Sequence, residues 1–235
     1  MKHLDLFSGI GGFALAARRV GWETVLFCEN DEFCQRVLSK NWPTTLIIDN
    51  IEKFANGSIK TIRDVGIITA GYPCQPYSVA GKRGGEEDDR NLWLKFIQTV
   101  RSVRPRWIVC ENVVGHITMG LDEVLLNLDG LGYTWESFII PACALNAPHR
   151  RDRLWVVAYS YGERLEGHSI GIREKTEHAI LSRENWWEAE PSMDRVDDGL
   201  PDRMDRIRSL GNAIVPQIAE VIFTIIKEIE WKSTT

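Results

Sequence analysis

The chain has 235 residues, 44% of them hydrophobic and 26% charged, with a net charge of −5. That balance fits one folded domain, or a domain with a small insert, and excludes a uniformly basic nucleic-acid binder. No run approaches the roughly 20 apolar residues that span a bilayer, and "MKHLDLFSG" lacks a signal-peptide core, so a cytoplasmic chain without membrane contact is expected.

In chain order, "HLDLF" (3–7) reads as a short strand and "SGIGGF" (8–13) as a glycine-rich turn. Ile10, Phe13, Ala14, Ala17 and Val20 then keep the spacing of one helix face, which Gly21 closes. "TVLFC" (24–28) is a second strand ending on Glu29, "NDEFCQRVLSKNW" (30–42) a capped helix, and "TTLIID" (44–49) a third strand ending on Asp49. "GIITAG" (66–71) is a fourth strand and runs into "YPCQPYS". A helix over 91–103, a strand "RWIVC" (106–110) ending on Glu111 and a helix marked by Leu121, Val124, Leu125 and Leu128 follow. "TWESFII" (134–140) and "RLWVVAY" (153–159) are late strands of antiparallel character.

Alternating strands and helices predict an α/β fold with a doubly wound, mostly parallel sheet. Ligands of such sheets bind beyond the carboxyl ends of the strands, where Ser8, Glu29, Asp49, Cys74 and Glu111 all fall. Residues 160–208 lose the pattern and read as a polar insert of the kind that carries specificity. Periodicity returns after "LGNAIVP" (210–216) in a strongly apolar helix. The expected division is a catalytic and cofactor-binding body over 1–159 and 209–235, with the insert at 160–208.

The five cysteines form no CxxC pair, so neither a disulfide framework nor a metal site is expected. Cys28, Cys34, Cys110 and Cys143 read as small core residues. Cys74 differs, being held between Pro73 and Pro76 at a strand end. A free thiol is only a few per cent thiolate at neutral pH, so a nucleophile here needs nearby cations, and "HRRDR" (149–153) supplies arginines. Arg151 and Arg153 alternate along what reads as an extended segment and would face the same way. Glu111, at the end of an apolar strand, is expected to hold its proton unusually high and to serve as an acid.

The turn after the first strand is neither GxGxxG nor a phosphate loop, which disfavours a nicotinamide oxidoreductase. With Glu29 placed for a ribose diol and Asp49 for an adenine amino group, it favours an adenosine-containing cofactor without phosphates. Each piece alone is equally a packed turn or a solvated strand end.

Together, "DLFSGIGGF", "GYPCQPYS", "ENV", "HRRDR" and "RIRSLGNAIVP" occur in the order of the cytosine-C5 DNA methyltransferases, and the chain resembles that family over about 3–159 and 206–230. The resemblance implies S-adenosylmethionine as cofactor, with Phe7 on the adenine, Gly9 and Gly11 in the cradle, Glu29 on the ribose, Asp49 on the adenine edge, and Leu92 and Asn212 completing the pocket. It implies Cys74 as nucleophile, Glu111 at cytosine N3 and N4, and Arg151 and Arg153 as organisers of base and thiolate. Gln75 and Ser78 would lie near the DNA backbone, with Lys82 and Arg83 as phosphate contacts. His149, Tyr77 and Asn30 depart from common family residues. The short insert is similar to that of small phage or prophage members. The implied partners are double-stranded DNA and a candidate cognate restriction endonuclease, with the chain acting as a monomer. An RNA cytosine methyltransferase and a non-catalytic DNA-binding module stay open as alternatives.

Overall fold

The computed structural model of the chain describes residues 1–55, 64–72, 86–160, 171–181 and 203–234. Strand β1 (Lys2–Leu6) leads to helix α1 (Gly12–Arg19), β2 (Glu23–Cys28), α2 (Glu32–Asn41) and the short β3 (Leu46–Ile48). Then come α3 (Glu52–Ala55), β4 (Val65–Ala70), α4 (Glu86–Val103), β5 (Trp107–Val113), α5 (His116–Met119) and α6 (Leu121–Gly130). The chain continues through β6 (Thr134–Pro141), a 3-10 turn at Ala142–Leu145, β7 (Asp152–Tyr159), α7 (Ile172–Leu181), α8 (Arg203–Asn212) and α9 (Pro216–Thr234).

Among the described residues the strands form one seven-stranded sheet in the order β3-β2-β1-β4-β5-β7-β6. Strands β3 to β5 run parallel, and β7 lies antiparallel between β5 and β6. The α/β, doubly wound and mostly parallel sheet expected from the sequence is therefore present. Local chemistry sets its helices. The Asp31 side chain caps α2 by accepting from the Cys34 N–H at 2.9 Å. The small residues Ala14, Ala16 and Ala17, all buried, let α1 lie close to the sheet.

Both faces of the sheet are covered. Helices α1, α7 and α9 bury Phe13, Ile172, Ile180, Ile218, Ile222 and Phe223 on one face; α4 and α6 bury Phe96, Val100, Val124 and Leu128 on the other. Full burial of each large aliphatic chain is worth roughly 1.5–3 kcal/mol. The helical run Met204–Trp231 is long and apolar enough to cross a membrane, but half of its most apolar stretch is buried inside the fold. Its hydrophobicity is used on the core.

Strand β1 is less apolar than it reads. Leu4 and Leu6 enter one cluster, while His3 and Asp5, fully buried, form a polar chain within the fold. The Thr69 hydroxyl donates to Asp5 Oδ1 at 2.9 Å, and His3 Nε2 lies 2.7 Å from that hydroxyl oxygen. With the Thr69 proton spent on Asp5, Nε2 donates to that hydroxyl oxygen. Burial pushes the His3 pKa down to about 3, so the imidazole is neutral and its Nδ1 accepts from the Thr24 hydroxyl, 2.9 Å away.

Three local expectations change. Strand β5 runs on to Val113 instead of stopping at 110, because pairing with β7 continues past the β4 ladder: Cys110 is the last residue opposite β4, whereas Glu111, Asn112 and Val113 face Trp155, Leu154 and Arg153. Residues 172–181 of the polar insert form a helix, since Ile172, Thr176 and Ile180 recur every fourth residue and are all buried. Cys28, Cys34 and Cys110 are buried as expected, but Cys143 is exposed, on the outer side of a 3-10 turn that buries Ala142 and Leu145 in the core.

Candidate active site

The parallel ladders between five strands end on one line, though β5 itself runs on against β7. Leu6 pairs with Cys28 and Ala70, Cys28 with Ile48, and Ala70 with Cys110. The next residue of each strand is Phe7, Glu29, Gly71, Asp49 or Glu111. One edge of the sheet therefore carries most of the residues singled out from the sequence.

The turn after β1 is tightly built. Phe7, Gly9 and Gly11 have φ of 55°, 53° and 87°. The Ser8 hydroxyl donates to the Asp5 carbonyl at 2.7 Å, and the Gly11 N–H to the Ser8 carbonyl at 2.9 Å. A Cβ at Gly11 would lie 2.8 Å from the Trp42 ring, so only glycine fits there, whereas one at Gly9 would meet nothing within 4 Å. Gly9 borders open space.

Glu29 forms a wall of that space. It is 8% exposed. Oε2 accepts from the Gly9 N–H at 2.6 Å and Oε1 from the Asp31 N–H at 2.8 Å. Burial raises its pKa, and those two backbone bonds oppose the rise. Each oxygen retains acceptor capacity for a further donor. Asp49, by contrast, is exposed and ion-paired with Lys53, whose hydrogen bond holds its carboxyl below the usual range. Leu92 on α4 is half-buried, and both it and Phe7 lie against the cluster that contains Tyr72 and Trp93.

Glu111, 7% exposed, lies on the other half of the edge. Arg153 Nε stands 2.9 Å from its Oε1 without a well-aligned hydrogen bond. Burial raises the Glu111 pKa to about 7 against the opposing pull of Arg153 and Arg151. Gly71 lies between the two halves: a Cβ there would be 3.9 Å from both Glu111 Oε2 and the Phe7 carbonyl.

The charges of both arginines act on Glu111, but their hydrogen-bond partners differ. Arg151 has φ of 36°, which breaks the extended run expected over 151–153 and turns its side chain elsewhere. Its Nη2 donates to the Gly211 and Ala213 carbonyls, each at 2.7 Å, on either side of the exposed Asn212.

Sequence reading gave no role to Asn112 or Tyr72. The buried Asn112 amide donates to the Tyr72 carbonyl at 3.3 Å, and the Tyr72 ring packs on Trp93 and His116. This fixes the chain two residues before Cys74. The "ENV" triplet held that signal. Cys74, Gln75, Ser78, Lys82 and Arg83 lie outside the described residues. Among the described residues no group of His, Cys, Asp or Glu is arranged to hold a metal.

The sheet is the Rossmann-like one of S-adenosylmethionine-dependent methyltransferases, with a glycine turn and a buried carboxylate at one end and a near-neutral acid at the other. Within that class the chain belongs to the C-5 cytosine-specific DNA methylases, whose family model matches residues 1–199. It is 34% identical over 167 residues to the Type II methyltransferase M2.BsuMI of Bacillus subtilis, covering 67% of this chain and 42% of that one. It is 32% identical over 164 residues to M.HhaI of Haemophilus parahaemolyticus, covering 68% of this chain and 49% of that one. The chain thus spans about half or less of the length of these relatives. A mutant of DNMT2 from Spodoptera frugiperda superposes with a TM-score of 0.60 at 26% identity, over 70% of this chain and 51% of that one. S. pombe Dnmt2 shares the fold, with a TM-score of 0.62 at 20% identity over 83% of this chain and 58% of that one.

Proposed function

We propose that the chain transfers a methyl group from S-adenosylmethionine to C5 of cytosine in double-stranded DNA. The observation that carries this reading is the pairing, on one sheet edge, of an open glycine turn walled by Glu29 with a buried Glu111 whose pKa is close to neutral. The residues fit the cofactor. Gly9 leaves room where a side chain would intrude, Glu29 has acceptor capacity for ribose hydroxyls, and Phe7, Leu92 and Asn212 are assigned to the same pocket. When bound, S-adenosylmethionine supplies an electrophilic methyl group.

The chain's own residues do the rest. The base must leave the duplex stack to reach a buried acid. Cys74 donates a sulfur electron pair to C6, forming an S–C6 bond, while Glu111 passes its proton to N3. The electrons then displaced onto C5 make that carbon nucleophilic, and it takes the methyl. Loss of the C5 proton to water re-forms the C5–C6 double bond, expels the thiolate and returns the N3 proton to Glu111. Arg153, beside Glu111, limits the cost of its ionised form in that cycle.

Gln75, Ser78, Lys82 and Arg83 are assigned to the DNA backbone, and residues 160–208 to target recognition, with α7 as the part anchored on the core. Asp49 is assigned to the adenine edge. The chain is assigned to the cytoplasm as a monomer, and a cognate restriction endonuclease is the partner that the relatives' names as Type II methyltransferases suggest. The test is a duplex carrying 5-fluorocytosine, whose C5 cannot lose fluorine as a proton is lost. With S-adenosylmethionine it should trap a covalent adduct, located at Cys74 by peptide mass spectrometry. A protein that binds both ligands and forms no adduct would end this reading. Methyl incorporation into tRNA but not into duplex DNA would replace DNA by RNA as substrate.

A further inference from the structure

Helix α8 ends at Asn212, and its last turn of carbonyls has no further helical amide to accept from. The Ala213 N–H answers the Ser209 carbonyl at 2.9 Å. The Gly211 carbonyl and the Ala213 carbonyl beyond it are answered by one nitrogen, Nη2 of Arg151, at 2.7 Å each. A guanidinium is suited to this, because one nitrogen carries two hydrogens and a fixed positive charge, which also complements the negative end of a helix. The backbone at Arg151 is held from beside it, for the Ala142 N–H donates to the Arg150 carbonyl at 2.7 Å and is shared with the Arg151 carbonyl at 3.3 Å.

The clamped segment runs straight into the cofactor side. Ile214, one residue on, is buried against Gly12, where an added Cβ would come within 2.6 Å of its Cγ1. Gly12 opens α1, directly after the turn that borders the open space at Gly9. Asn212 is flanked on both sides by carbonyls that Arg151 holds. The contacts run from Arg151 through 211–214 to the glycine turn, while the neighbouring Arg153 turns to Glu111.

We propose that Arg151 is a positioning residue for the cofactor pocket: it clamps Gly211 and Ala213, and so fixes Asn212 and the wall behind the glycine turn. This rests on the methyltransferase reading above. In it Arg151 governs affinity for S-adenosylmethionine more than the chemical step, whereas Arg153 governs the chemical step.

The test measures binding of S-adenosylhomocysteine, the unreactive product, by calorimetry without DNA, on wild type, Arg151→Met, Arg151→Lys and Asn212→Ala. Loss of two charge-assisted bonds should raise Kd about tenfold or more in Arg151→Met. Lysine, which brings the charge without the fork, should recover part of it. Asn212→Ala should cost little once Arg151 is already gone, because both act on one segment. At saturating cofactor kcat should change less than KM for S-adenosylmethionine. Amide hydrogen exchange in peptides covering 209–218, measured on Arg151→Lys without ligand, should quicken, and this readout does not depend on the methionine variant folding. Unchanged Kd in both Arg151 variants, or unchanged exchange over 209–218, would overturn the proposal while leaving the methyltransferase reading intact. A wild-type protein that binds no S-adenosylhomocysteine would overturn that reading and this proposal with it.

Discussion

Glu29 and Glu111 occupy matching places, each one residue past the last aligned pair of the parallel ladders, each more than nine-tenths shielded, and each with a raised pKa from burial. Their partners differ. Glu29 is answered by two backbone N–H groups, Gly9 and Asp31, which cannot move without moving the turn. Glu111 is answered by a side chain, the Arg153 guanidinium, with its pKa left at about 7. A carboxylate satisfied by backbone suits holding a ligand. One balanced between burial and a cation, near neutrality, suits passing a proton. The same residue type at matching fold positions is given two different environments, and the proposed roles follow that difference.

The sharpest way to break that division is to neutralise each in turn. Glu111→Gln should slow single-turnover methyl transfer by ~10²-fold or more with cofactor affinity nearly unchanged. Glu29→Ala should weaken cofactor binding by about 10- to 100-fold, with a much smaller loss in rate at saturation. Equal effects of both variants on Kd and on rate would mean that the two carboxylates are not specialised. The remaining activity of wild type should also decline as pH rises through about 7 on a limb that Glu111→Gln lacks.

The two halves of the glycine turn offer a second contrast. Gly11→Ala meets both a left-handed backbone and the Trp42 ring, and should cost roughly 1–3 kcal/mol of stability. Gly9→Ala carries the backbone strain but meets nothing, so its larger effect should fall on cofactor affinity. Thermal melts and calorimetry on the same two proteins separate these outcomes.

What the sequence disclosed follows the same line. The positions of Glu29, Asp49 and Glu111 were legible because a parallel sheet aligns its strand ends, so chain order alone predicts the edge. Partners were not legible, because they come from register and backbone angles. The alternation of Arg151 and Arg153 suggested a shared face, yet φ of 36° at Arg151 sends the two guanidiniums to different elements. Asn112 was hidden by the same cause, since only the β5–β7 ladder carries the strand far enough to bring its amide to Tyr72. His3 and Asp5 drew no separate reading within the strand, because Thr24 and Thr69 come opposite them only in the folded sheet.

Stability gives a milder test of Glu111. Its pKa is about 7 folded against 4.5 for an ordinary glutamate. Between those values the native state keeps a proton that the unfolded chain has lost, so wild type loses stability as pH rises from 4.5 through 7. Glu111→Gln lacks that titration. Its Tm should exceed that of wild type at pH ~8, with the gap shrinking towards pH ~5. A constant gap would show that folding does not raise the Glu111 carboxyl.

The smallest effect is expected at Asp49. It shares the sheet edge with Glu29 but not its burial: the carboxylate is 61% exposed, and its partner Lys53 is 52% exposed. An exposed pair of this spacing contributes little, because water screens both charges. If Asp49 meets the cofactor, it does so as one acceptor competing with solvent, and an asparagine carbonyl can accept in its place. Asp49→Asn should therefore change the Kd for S-adenosylhomocysteine by less than ~3-fold. A loss of tenfold or more would mean that the ligand itself buries this carboxylate, giving a third acid on the edge a role set by its partner, as for the other two.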